Sequence, residues 1–197
     1  MLVRDLIEHF SGREIAPIEI DAVIEHMRSI GVKEEIYYWT ADIDPGILQG
    51  EMAHWSYPDN NGDSHPVVDI TVSKHLSIES QRLVTCKELI HILDAEAARV
   101  READAIRHLI ERIVLPPDFL ELKKDGIGAI NDKLAIYQAV AILFPFAMRQ
   151  LLKSKVEEGL ISAKDIANII SIPERFVLIV LNDAWDRFYQ ALLSVDF

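Results

Sequence analysis

Two N-terminal stretches, residues 2–10 and 18–30, carry apolar residues every three to four positions, and a glycine follows each stretch. This spacing predicts two amphipathic helices. Between residues 35 and 72 the pattern changes to short runs of aromatic and β-branched residues, which are typical of strands. The predicted strands cover residues 35–40, 47–55 and 66–72. The turn residues Asp44-Pro45-Gly46 favour antiparallel pairing, and Gly50 indicates a bulge or a close backbone approach.

From Ser77 onward the apolar spacing is helical. Residues 77–80 offer N-cap candidates for the first helix of this part. A polar connection is predicted at 118–131, and the further helices at 95–114, 132–144, 146–158, 162–170 and 173–193. The prediction is an α+β fold with a helical majority and a small three-stranded antiparallel sheet. It places one α+β domain at residues 1–145 and a C-terminal helical segment, with helix–turn–helix proportions, at residues 146–197, packed on that domain.

Composition narrows the classes of function. Half of the 197 residues are hydrophobic, which predicts a globular chain. A net charge of −12 argues against binding nucleic acid or anionic membranes. The single cysteine, Cys86, excludes an internal disulfide and favours a reducing compartment. Asp5 interrupts the apolar run that a signal peptide would need at the N-terminus, and the apolar run 134–148 is too short and interrupted to span a bilayer. We therefore expect a soluble, cytoplasmic protein without a membrane span.

The sequence Lys87-Glu88-Leu89-Ile90-His91 differs by one residue from the zinc-protease pattern H-E-x-x-H. In that pattern two histidines one helical turn apart bind zinc, and the Glu acts as general base on the metal-bound water. Glu88 and His91 match the base and the second ligand. Lys87 stands at the first ligand position, where a protonated lysine has no lone pair to donate.

The same five residues also fit an ordinary amphipathic helix. On a helical wheel Lys87, Glu88 and His91 lie on a face next to the apolar stripe, so Lys87 and His91 would then be solvated neighbours. The apolar stripe itself consists of Leu83, Cys86, Ile90 and Leu93.

The surrounding segments resemble the ImmA/IrrE family of zinc metallopeptidases. The strand Asp69–Ser73 followed by the helix Gln81–Leu93 is similar to that family's core, with Glu88, His91 and Leu93 at matching places. Downstream, Ala139–Pro145 resembles the family's helix ending "A-x-x-L-L-x-P", and Gly159–Pro173 resembles its next helical motif. The resemblance covers about 130 residues from Val67 onward, and it implies a zincin-like core, a zinc cofactor and a regulatory protein as substrate.

The resemblance also implies a third zinc ligand, a Glu early in the helix that ends at the proline. Counted back from Pro145, that place is Leu134, which cannot bind a metal. A second candidate is Glu102, which lies in a segment leading to Pro116, although its spacing to that proline is about three residues too long. The implied metal ligands are therefore His91 and Glu102, with Glu88 as catalytic base. Side chains that could supply a metal ligand in place of the missing ones are Cys86, His54, His65, His75 and His108.

The C-terminal helix pair offers little for reading DNA. Arg175 is followed by six apolar residues, and residues 145–197 hold six Lys/Arg against seven Asp/Glu. A DNA-reading helix would present several polar or basic side chains at its start. We expect these helices to pack in a core or in a homo-oligomer interface.

Two functions remain open from the sequence. In the first, the chain is a catalytically degenerate peptidase-like protein without a cofactor, and it acts through protein–protein interaction in regulation, with a transcriptional regulator or a phage-related partner. In the second, it is an active zinc-dependent peptidase with an unusual ligand set that cleaves a regulatory protein.

Overall fold

The computed structural model describes residues 2–93 and 127–194. Within them the chain forms eight helices and one three-stranded sheet, which confirms the predicted α+β class. In chain order the elements are α1 (Leu2–Ser11), α2 (Ile20–Ser29), β1 (Glu35–Ala41), β2 (Gly50–Pro58), β3 (Ser64–Ser73), α3 (Ile78–Leu93), α4 (Ile127–Leu143), α5 (Phe146–Glu157), α6 (Ala163–Ile170), α7 (Glu174–Leu181) and α8 (Ala184–Ser194).

The sheet is mixed, with strand order β1-β3-β2. β2 and β3 pair antiparallel as a hairpin, whereas β1 runs parallel to β3, with Glu35 opposite Val67. The prediction of an antiparallel sheet is therefore wrong for β1. The hairpin is closed by the turn after β2, where Asp59 Oδ1 accepts hydrogen bonds from the backbone N–H groups of Asn61 and Asp63. β3 then lies between the two earlier strands.

β2 begins three residues later than predicted, because the turn before it takes up Ile47 and Leu48. The Asp44 carbonyl accepts hydrogen bonds from both of their backbone N–H groups, and the Asp44 carboxylate accepts one from Gly46 N. Side chain and backbone of one aspartate thus close the turn. The strand can start only at Gly50.

Two predicted helix boundaries also differ. α4 begins at Ile127, inside the predicted polar connection 118–131. The predicted helix 173–193 is broken at Asn182, whose extended backbone ends α7 and whose side-chain oxygen accepts a hydrogen bond from Ala184 N at the start of α8. The predicted helix 95–114 lies outside the described residues.

A single hydrophobic core joins the sheet to the helices. The inner face of the sheet contributes Ile36, Val68, Ile70 and Val72, all buried, and α3 lies against β2 and β3 on this side. α4 packs along α3, and α1 contacts α4 and the C-terminal helix α8. α3 is therefore covered on several sides, and its polar residues Thr85, Lys87 and Glu88 lie in the interior.

The C-terminal helices are fixed to one another through Arg149 of α5, whose side chain is only 3% exposed. Its guanidinium donates hydrogen bonds to the carbonyls of Val180 and Asn182 and to the carboxylate of Asp186. In α7, Phe176, Val177 and Val180 are buried, whereas Leu178 is exposed. One side of α7 is therefore buried against the rest of the protein, and the side that carries Leu178 is exposed.

Among the described helices, none alone is long and apolar enough to cross a membrane. Only the segments Asp132–Leu143 and Phe146–Glu157, bent by 77° relative to one another, satisfy that test as a pair, on length and composition alone.

Candidate functional site

Helix α3 carries the near-motif and starts at a serine cap. Ser77 Oγ accepts a hydrogen bond from Ser80 N, so one of the predicted cap residues closes the first turn. Every residue from Leu83 to Ile90 is buried. Lys87 is 9% exposed and Glu88 5%, which excludes the alternative in which Lys87 is a solvated helix residue.

Gly50 allows α3 to approach the sheet at the level of Glu88. A Cβ atom at position 50 would lie 2.5 Å from Val84 Cγ1 and 3.3 Å from Glu88 Oε1. Contacts of 2.5 Å are not tolerated between carbon atoms, so the close approach predicted from this glycine is confirmed. The absence of a side chain here leaves room for the Glu88 carboxylate against β2.

Lys87 is held by two carboxylates. Its Nζ donates a hydrogen bond to Asp132 Oδ1 at 2.7 Å and lies 2.9 Å from Glu88 Oε1. Burial acts to lower the pKa of Lys87, but the Glu88 and Asp132 carboxylates raise it by more, so the pKa lies above its ordinary value. Lys87 is therefore an ammonium ion throughout the neutral range.

The two carboxylates are not equivalent. Asp132 is half-exposed at the end of the cluster, whereas Glu88 is buried beside Gly50. The ammonium approaches Glu88 Oε1 off a hydrogen-bond direction, so within the described residues this oxygen receives charge stabilisation but no hydrogen bond. Within the described residues, Glu88 Oε1 is thus paired with Lys87 through charge.

His91 joins the cluster from the next helical turn. Its Nε2 lies 3.5 Å from Asp132 Oδ1, the same oxygen that binds Lys87. The hydrogen bond from His91 and the hydrogen bond and charge of Lys87 lower the pKa of Asp132 to about 2. Asp132 is therefore ionised at every physiological pH, and Lys87, Glu88, His91 and Asp132 form one polar cluster between α3 and α4, called here the Lys87 cluster.

The sequence patterns do not identify Asp132 as a residue of this site. Counting back from Pro145 pointed to Leu134, which is buried and apolar. The residue of α4 that contacts Lys87 and His91 is instead Asp132, two positions earlier. The available signal was charge: Asp132 is an acid at the start of a strongly apolar segment, and a buried lysine on α3 needs such a partner.

The other proposed ligands that the structure describes do not join the Lys87 cluster. Cys86 is fully buried, and burial raises the pKa of its thiol to about 12, so it is not a thiolate. His65 stacks on Tyr57, His75 pairs with Asp42, and His54 is exposed on β2. Glu102 and His108 lie outside the described residues.

The described residues do not fit a zinc site with three protein ligands. Lys87 Nζ is protonated and bound to Asp132, so the first ligand position holds a cation and not a lone pair. Across residues 2–93 and 127–194, no three His, Cys, Asp or Glu side chains come together as a metal site. Within the described part of the chain, His91 and Asp132 are potential ligands that lie in contact.

Comparison of this chain with known protein families, with curated proteins and with solved structures finds no match.

Proposed function

We propose that this chain is a peptidase-like protein of the ImmA/IrrE type in which a lysine has replaced the metal centre, and that it acts in regulation by binding another protein. Catalysis is absent in this proposal, since Glu88 is paired with Lys87 and is not free to activate water. The observation that carries the proposal is the ion pair of Lys87 Nζ with Asp132 and Glu88, at 2.7 and 2.9 Å.

The charges of the cluster support this function. A zinc ion would stand beside the same two carboxylates and the same imidazole that now surround the ammonium. A zinc ion about 4 Å from Lys87 Nζ carries two positive charges and would be repelled by about 2–8 kcal/mol, according to the local dielectric. The lysine thus provides positive charge at the position where the resemblance implies a metal.

The test is the substitution Lys87→His, compared with Lys87→Met. The histidine variant has two imidazoles one helical turn apart on α3, with Asp132 beside them, which is a ligand set that zinc accepts. Binding of zinc to the folded state alone raises its melting temperature. We expect added zinc to raise the melting temperature of Lys87→His, and to leave the native protein and Lys87→Met unchanged.

Metal analysis of the native protein completes the test. Stoichiometric zinc in the native protein would overturn the metal-free proposal and support an active peptidase with an unusual ligand set, for which loss of hydrolysis in Glu88→Gln is the further measurement. Failure of Lys87→His to bind zinc, in a variant that remains folded, would contradict the peptidase-like origin of the cluster.

A further inference from the structure

The outer face of the sheet carries an unusual concentration of exposed aromatic rings. It is formed by alternate residues of the three strands, on the side opposite the core, and Val67 beneath the rings is completely buried. The large rings, called here the aromatic face, are Tyr37 (49% exposed), Trp39 (46%), Trp55 (48%) and Tyr57 (38%). Aromatic side chains of this kind are enriched where proteins bind other proteins.

Carboxylates are built into this face. Glu35 accepts hydrogen bonds from the Tyr37 and Tyr57 hydroxyls, both at 2.9 Å, one on each of its oxygens. Asp69, on the central strand, accepts one from Trp55 Nε1 at 2.8 Å. Each of these donors is neutral, so the rings hold the carboxylates in place without cancelling their charge.

Among the described residues, the positive groups that act on Glu35 are His65 and Arg28. No ion pair joins Glu35 or Asp69 to a lysine or arginine of the described chain. Arg28 and Lys33 lie at the β1 side, where they line a cavity of about 430 Å³ with Glu35 and Tyr37. Asp69 is at the centre of the sheet, between Tyr37 of β1 and the small Ala53 of β2.

From this juxtaposition we infer that the aromatic face is a docking surface for a partner polypeptide that presents arginine side chains. A guanidinium stacks on an aromatic ring and pairs with a carboxylate through planar donors, so it matches both features of the face. The whole chain carries a charge of −12, which attracts a basic partner and disfavours a second copy of itself.

Asp69 is the anchor of this surface. The register places Tyr37 beside it on β1, with Trp39 and Thr71 in the next row, while Ala53 leaves space above the β2 side. A guanidinium over Ala53 would reach the Asp69 carboxylate between rings on both outer strands. The inference deepens the binding part of the proposed function and rests on it, whereas the zinc test at Lys87 does not depend on this face, so the two can fail separately.

The experiment titrates the full chain with a short unstructured peptide of alternating arginine and glycine, followed by NMR of backbone amides and of tryptophan indoles. The same peptide with citrulline, the neutral analogue of arginine, is the chemical control. We expect saturable binding of the arginine peptide, with shifts concentrated on β1, β2 and the Trp55 indole. The citrulline peptide should bind at least about ten-fold more weakly.

Two variants with matched controls locate the site. Trp39→Leu removes a ring from the aromatic face, whereas Tyr38→Leu removes an exposed ring from the same strand but from the opposite side. Asp69→Asn removes the anchoring charge and keeps an oxygen for Trp55, whereas Glu25→Gln removes an exposed charge from α2. We expect each face variant to weaken binding by about five-fold or more and each control by less than about two-fold.

Several results would overturn the inference. These are absence of saturable binding in the folded native chain, equal binding of the arginine and citrulline peptides, and shifts that lie away from β1 and β2. Equal losses in Asp69→Asn and Glu25→Gln would show attraction by net charge alone, and equal losses in Trp39→Leu and Tyr38→Leu would show that the aromatic face is not the site. Binding of a neutral oligosaccharide on the same rings, without binding of the arginine peptide, would assign the face to a different ligand.

Discussion

Asp132 is the residue on which the Lys87 cluster depends. One of its oxygens meets both Lys87 and His91, which stand on successive turns of α3, so a single carboxylate ties α4 to the central helix. Because half of its side chain is exposed, water screens part of this attraction. The cluster is therefore stabilised by the charge on Asp132 and is sensitive to its protonation.

This charge predicts a dependence of stability on pH. The pKa of Asp132 is about 2 in the folded chain and about 3.8 as the ordinary value, so the unfolded chain takes up the proton first as pH falls. Its contribution is present above about pH 4 and is lost as pH falls towards 2. We expect the difference in free energy of unfolding between the native protein and Asp132→Asn to shrink over this range in urea titrations.

Glu25→Gln, an exposed substitution on α2, serves as the baseline for that comparison. A difference between native protein and Asp132→Asn that stays constant from pH 5 to pH 2 would contradict the role assigned to the carboxylate.

The residues of α3 in this site could be predicted and the residue of α4 could not. Glu88 and His91 are predictable because their helical spacing places them on one side of α3, whatever the rest of the fold is. Asp132 comes from a helix separated from α3 by residues 94–126, and its rotation relative to α3 depends on tertiary packing. A register counted from Pro145 fails when the contacting residue differs by two positions, since two residues turn a helix by about 200°.

At the scale of elements, the close packing of α3 on β2 sets the depth of the site. Gly50 is the point at which they touch, and Val84 and Glu88 are the helix residues above it. This glycine matters for the space it leaves and not for an unusual backbone angle. Any side chain here must push the helix away from the sheet or displace Glu88.

Gly50→Ala should therefore destabilise the fold by about 1–3 kcal/mol through overpacking. Val84→Ala in the same chain removes the methyl group that lies 2.5 Å from the added Cβ, so the double variant should lose less than the sum of the single ones. Free energies of unfolding from chemical denaturation give all three values. Gly12→Ala, where the added Cβ meets nothing within 4 Å, is the control and should stay within about 0.5 kcal/mol.

The strands themselves were predictable, and their order was not. Aromatic and β-branched runs identify a strand whichever neighbour it pairs with. The turn residues between β1 and β2 favour a hairpin of these two strands. In the structure the hairpin is formed by β2 and β3, and β3 pairs along its other edge with β1. The alternation in β1 is compatible with either pairing, because only its inner residue Ile36 is buried.

At the scale of the whole molecule, Arg149 fixes the C-terminal helices. It reaches from α5 to the end of α7 and to α8, and α8 in turn contacts α1 at the other end of the chain. The guanidinium donates hydrogen bonds to the carbonyls of Val180 and Asn182 at the C-terminal end of α7, where helix carbonyls lack donors from the helix itself. The break at Asn182 is therefore stabilised from outside the helix that it ends.

Arg149→Met should cost about 3 kcal/mol, because it removes the hydrogen bonds that Arg149 donates to the Val180 and Asn182 carbonyls and leaves Asp186 without its cation. Lys153→Met, on the same helix, breaks an ion pair with the exposed Asp183 and should cost less than about 1 kcal/mol. Thermal unfolding of the three proteins measures the difference. Equal losses in both variants would contradict a special role for Arg149.

Lys87 has a consequence for how the protein responds to its surroundings. A bound metal exchanges with the medium, and a protein that relies on one changes state when the cell's supply of that metal falls or when a chelator removes it. An ammonium on a side chain is covalently attached and present at one copy per chain from the moment of synthesis. Under the proposed function, the Lys87 cluster would stay assembled in zinc starvation and in zinc excess alike, and the protein would be constitutive with respect to metal.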